Sequence, residues 1–132
     1  MKRNPNRIVV SVRIENALDV SKSLICDAFV DTDAHLIVLP AAWKHRFGEL
    51  DSTRTIELHT ANQRTTSAEV CGPVRIQIEG FRPIHSEVAF VEMEQGAGKY
   101  EPLLGHIVLA QSQARVDILG HRLIPIRYLD LK

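Results

Sequence analysis

The feature that most constrains this chain is the run Cys26-Asp27-Ala28-Phe29-Val30-Asp31-Thr32-Asp33-Ala34-His35-Leu36-Ile37-Val38-Leu39-Pro40. An apolar segment with strand character enters a short polar turn holding two acids and a hydroxyl. A second apolar segment leaves the turn and stops at proline. Buried strands exclude ionisable groups, because an unpaired carboxylate in a low dielectric costs on the order of several kcal/mol or takes up a proton. An acid at a strand end therefore marks this turn as a candidate site and not merely a connection.

The segments around it read mostly as strands. Ile8, Val10, Val12 and Ile14 recur at period two, which predicts one buried face with Ser11, Arg13 and Glu15 opposite. Asn16 to Ser23 reads as a polar connection, and the next strand runs from Leu24 to Asp31. After Pro40, Leu39, Trp43 and Phe47 are spaced by four and Gly48 supplies a stop, so a short helix with Trp43 and Phe47 as core anchors is expected. Thr53 to Thr60 and Arg64 to Cys71 read as a hairpin around Ala61-Asn62-Gln63, since asparagine tolerates the left-handed conformations of tight turns. Val74 to Ile78 and Ile84 to Val91 add two strands. Leu103-Leu104-Gly105 leads into a short helix over Ile107 to Gln113, and strands at Arg115 to Leu119 and Arg122 to Tyr128 close the chain. The expected architecture is mainly β with one or two short helices in a single domain spanning 1–132.

Charge excludes several function classes. Lys plus Arg and Asp plus Glu both number 16, so no global field favours nucleic acid or an anionic membrane, and neither is expected as a partner. No segment has the length and apolarity of a membrane-spanning helix, and the first apolar run is interrupted by Arg13 and Glu15, so a cytoplasmic location is expected. Cys26 and Cys71 form no Cys-x-x-Cys pair and read as reduced thiols. Gln95-Gly96-Ala97-Gly98-Lys99 lacks the later glycine and the Lys-Ser/Thr ending of a phosphate loop. His45, His59, His85, His106 and His121 lack metal-ligand spacing and read as surface or loop residues.

Asp31-Thr32-Asp33-Ala34, with Leu39-Pro40 downstream and Leu103-Leu104-Gly105 near the end, resembles the retropepsin-like aspartic proteases, whose active-site turn reads Asp-Thr-Gly-Ala. The resemblance runs from about Ile8 to Tyr128 in order of elements and implies a closed, barrel-like protomer. It implies that Asp31 is the catalytic carboxylate and that Thr32 bonds across a subunit interface. It further implies that Leu103, Leu104 and Gly105 support the turn from beneath and that Ala61, Asn62 and Gln63 lie near a flap tip over the substrate. One such acid per chain implies a homodimer that binds an extended polypeptide, with no metal and no other cofactor.

The sequence departs from that pattern at Asp33, where the motif has glycine. Glycine permits conformations costly for other residues, and an extra acid per protomer crowds the catalytic pair with like charge. His35, and Gln63 at the flap, depart as well. These departures leave a second reading open: a catalytically impaired module that dimerises or grips peptides. A third follows from alternation, since an extended backbone would turn Asp31, Asp33 and His35 to one side as metal ligands.

Overall fold

Period-two patterning in the first segment produces β1 (Val9–Asn16), which forms an antiparallel hairpin with β2 (Asp19–Val30). The computed structural model describes residues 7–59, 65–95 and 98–126. Val12 and Ile14 are buried as the alternation requires. Glu15, expected on the open face, is buried instead: Arg13 Nε and Arg75 donate to its Oε1 at 2.9 and 3.2 Å. The expected connection from Asn16 to Ser23 is also corrected. β2 already begins at Asp19, and Asn16 Nδ2 donates to the carbonyls of Phe47 and Glu49, both at 2.8 Å, while its Oδ1 accepts from Leu18 N. The polar residues of this segment are thus strand and anchor, not linker.

β3 (Ile37–Pro40) follows the acidic turn and is buried throughout. The helix after Pro40 is a 3-10 helix over Ala41–Phe47, ended by Gly48 at a φ of 64°. Phe47 lies in the core near Phe90, whereas Trp43 is only half-buried, edge-on to Tyr100. β4 (Asp51–His59) pairs with β5 (Thr65–Ile78) as far as His59 opposite Thr65, forming the expected hairpin. Two strands expected at Arg64–Cys71 and Val74–Ile78 are one continuous β5, whose ladder to β6 (Ile84–Val91) shifts register between Cys71 and Val74. That irregularity is where a proline without an N–H can sit inside a sheet.

β7 (Leu103–Leu104) and α1 (His106–Gln111) come next. β8 (Ala114–Asp117) and β9 (Arg122–Pro125) form a separate two-stranded hairpin. The main sheet has the order β1-β2-β7-β3-β6-β5-β4, and a further pairing of β1 with β5 joins it into a barrel-like ring with β4 outside the closure. Closure removes most exposed edges and encloses a core that includes Ile14, Ile37, Leu39, Ile76, Val88 and Leu104. A smaller apolar cluster of Leu36, Val38, Ala68, Val70, Ala89 and Val91 lies apart from it. Among the described residues no helix is long and apolar enough to cross a membrane.

Candidate active site

β7 is only two residues long, yet it positions the acidic turn. Leu103 and Leu104 slot between β2 and β3, parallel to Phe29 and Val30 and antiparallel to Val38 and Ile37. Both strands that carry the turn are thereby fastened to one wedge. Phe29 N donates to Pro102 O at 2.8 Å, and Asp31 N donates to Leu104 O at 3.0 Å. Leu104 is fully buried and Leu103 half-buried.

Gly105 is required by close approach. A Cβ built there would lie 2.4 Å from Leu36 O and 2.5 Å from the carbonyl of His35. Only a residue without a side chain lets the step into α1 run against the start of the strand leaving the turn.

Within the turn, Asp31 Oδ1 accepts a hydrogen bond from Asp33 N at 3.0 Å, and Asp31 O accepts one from Ala34 N at 3.1 Å. This is an Asx turn stacked on a β-turn, a conformation that aspartate favours because its carboxylate reaches the backbone two residues on. Asp31 is half-buried, Thr32 and Asp33 are exposed, and Ala34 is half-buried. Among the described residues the non-glycine positions with positive φ are Gln113 and His121, so Asp33 sits in a backbone conformation open to any side chain. The glycine expected there on conformational grounds is not required in this turn.

The turn also breaks the alternation that would have aligned Asp31, Asp33 and His35. Among the described residues no group of three or more His, Cys, Asp or Glu side chains is arranged to hold a metal ion. Cys26 and Cys71 are free thiols. Burial pushes the Cys26 thiol up to about 12, with the neighbouring Asp27 acting in the same direction, and burial likewise raises Cys71. Neither is a thiolate nucleophile.

His106, read from sequence as a surface or loop residue, is exposed but engaged. Its main-chain N–H donates to Ala34 O at 2.9 Å and its Nδ1 lies 3.0 Å from the same oxygen. Ile107 N donates to His35 O at 3.0 Å, and the rings of His35 and His106 meet edge to face at 4.9 Å between centroids. The first turn of α1 is therefore bound to the acidic turn. The available signal was position: His106 follows directly on the Leu-Leu-Gly step.

Asp31 and Asp33 both border a groove of about 1000 Å³ whose apolar lining includes Leu36, Val38, Ile56, Val91 and Met93. β4 forms one wall of the groove. Ala61, Asn62 and Gln63 themselves lie outside the described residues. A half-buried acid at a strand-end turn, opening on a largely apolar groove, can bring a carboxylate to the backbone of a bound peptide.

No family model and no curated protein matches the chain. Among solved structures, the chain is similar to EIAV protease complexed with the inhibitor HBY-793, with a TM-score of 0.62 and 18% identity over 89% of this chain and 98% of that one. At that identity the likeness establishes the retropepsin-like, mainly β fold.

Proposed function

We propose that this chain is a single retropepsin-like domain that acts as a homodimeric aspartic endopeptidase, with Asp31 of each protomer supplying one catalytic carboxylate. The observation that carries this reading is the placement of Asp31: its main-chain N–H held by Leu104 O at 3.0 Å, half-buried, and at the edge of a groove of about 1000 Å³.

The chemistry follows from pairing. Two carboxylates held side by side share one proton, because both cannot ionise cheaply together. The ionised member takes a proton from water as the water oxygen attacks the peptide carbonyl carbon, and the protonated member hydrogen-bonds the carbonyl oxygen as negative charge grows there. Collapse of the tetrahedral adduct breaks the C–N bond, and the amine leaves with a proton returned through the pair. In this reading Thr32, exposed in the protomer, bonds across the two turns of the dimer. The substrate is a polypeptide in extended form lying along the groove beneath the β4–β5 hairpin. Free thiols at Cys26 and Cys71 accord with a cytoplasmic setting.

Asp33 favours a second reading. It shares the groove with Asp31, so a dimer holds two such carboxylates per protomer, and the module would grip extended peptides with little or no cleavage.

The test is cleavage of an unfolded protein from acidic to neutral pH by wild type and by Asp31→Asn, with sedimentation to fix the oligomeric state. The enzyme reading expects a dimer whose cleavage falls by roughly two orders of magnitude or more in Asp31→Asn. A strictly monomeric species, or cleavage indifferent to Asp31→Asn, overturns it.

A further inference from the structure

β4 is the outermost strand of the main sheet, and among the described residues its ladder runs to β5 alone. Alternation turns Arg54, Ile56 and Leu58 of this strand to one face, where all three line the groove. A strand paired on one side opens locally at lower free energy than the core it leans on. Anything else that fastens β4 therefore bears directly on the shape of the groove.

Such a hold comes from β6, two strands away. The β4–β5 ladder shifts register between Ser52 and Arg54, which leaves Thr53 as an extra residue on β4. The β5–β6 ladder shifts between Cys71 and Val74, which sets Gly72 and Pro73 of β5 against a single residue of β6, Glu87. Bulges of this kind bend a strand and re-aim its side chains. Here Glu87 crosses β5 at its glycine: a Cβ built on Gly72 would meet Glu87 Cα and Cγ at 3.5 Å. The carboxylate then reaches β4 with both oxygens. Arg54 donates to Oε1 and the Thr53 hydroxyl to Oε2, each at 2.8 Å, and the same hydroxyl lies 3.1 Å from Val70 O on the strand between. The three strands are thereby stitched together at the level where their ladders are irregular.

We propose that Glu87 is a positioning residue of the cleft, holding the outer half of β4 where Arg54, Ile56 and Leu58 line it. This deepens the peptidase reading and rests on it for the identity of the groove as a substrate cleft. Glu87 and Arg54 are both part-exposed, so the tether adds little to the global stability of the barrel. Its effect falls on the local opening of β4. With the tether cut, the wall spends more time displaced and substrate loses contacts along β4. The acidic turn stays in place, since the main-chain N–H of Asp31 is held by Leu104 O.

The experiment measures hydrogen exchange by mass spectrometry on full-length wild type, Glu87→Ala and Glu87→Gln. In Glu87→Ala the protected amides of residues 54–58 exchange about tenfold faster, while those of β1 and β2 are unchanged. Glu87→Gln restores part of the protection, because its amide oxygen still accepts from Arg54 and its NH2 donates to the Thr53 hydroxyl. Steady-state cleavage of an unfolded protein is the second readout. In Glu87→Ala, KM rises about tenfold and kcat stays within about twofold, the pattern of binding lost equally from ground and transition states. Unchanged exchange in Glu87→Ala, faster exchange spread equally over the barrel, or a fall in kcat with KM unchanged overturns the proposal. Unchanged exchange while wild type cleaves removes the tether and leaves the peptidase, whereas faster exchange in β4 with no cleavage by wild type does the reverse.

Discussion

Ala34 O accepts two hydrogen bonds from His106, one from its main-chain N–H at 2.9 Å and one from ring Nδ1 at 3.0 Å. A carbonyl only accepts, so Nδ1 carries a proton, and the ring tautomer is set by the acidic turn it braces. Replacing His106 by Leu removes the ring donor but leaves the main-chain bond. A loss of about 0.5–1 kcal/mol is expected in urea unfolding, the lower half of the usual hydrogen-bond range because the residue is exposed. His106→Gln, which keeps a side-chain N–H, recovers part of that loss; a Gln variant as unstable as the Leu variant would show that the ring packs on His35 and does not act as a donor.

Gly105 tolerates no such adjustment. Its missing Cβ would stand 2.4 Å from Leu36 O, and the atoms in the way are backbone that belongs to the acidic turn and to the strand leaving it. Gly105→Ala is expected to lower stability by about 3 kcal/mol or more, because the clash cannot be relieved by rotating a side chain. Thermal unfolding followed by circular dichroism measures it. As a control, Gly80→Ala has open space around the new methyl, and its cost arises only from a φ of 89°.

Acid stability has a sign fixed by two surface pairs. Arg54 and then Thr53 hold the Glu87 carboxyl below its ordinary value of 4.5, and Lys44 and then Ser52 do the same for Glu69. A carboxyl with a depressed folded value binds protons more readily in the unfolded chain. Its contribution is complete above 4.5 and is lost as the pH falls through the lower folded value. Each term is small, since both pairs are solvated. Urea midpoints measured between pH 6 and pH 3 should fall with pH, and Arg54→Met should flatten that slope; an unchanged slope in the variant would remove Glu87 as a contributor.

How much of this was legible before the structure depends on the range over which each residue acts. The acidic turn was legible because an apolar segment that suddenly admits Asp31, Thr32 and Asp33 is a local discontinuity. Phe47 was legible because its spacing from Leu39 is helical, and a 3-10 turn still carries it inward. Glu15 was not, since one arginine that buries it is Arg75, 60 positions away. β7 was not legible as a strand, because two residues carry no periodicity and only their neighbours Phe29 and Val38 make them part of a sheet.

Asp33 is where sequence and structure together give the sharpest prediction about activity. Its φ is not positive, so glycine is unnecessary there for the backbone, and what remains of the departure is a carboxylate on the groove that holds Asp31. In the proposed dimer, that carboxylate adds like charge beside the two Asp31 side chains that do the chemistry. Asp33→Asn removes that anion while leaving intact the hydrogen bond from the main-chain N–H of residue 33 to Asp31 Oδ1. Stability should change by no more than about 0.5 kcal/mol, as is usual at an exposed site. Cleavage of an unfolded protein at neutral pH should rise by about tenfold, equivalent to about 1.4 kcal/mol of barrier. Asp33→Gly should match Asp33→Asn if charge is the whole effect. A gain confined to the Gly variant would assign the departure to backbone freedom, and no gain in either would show that Asp33 does not restrain the pair.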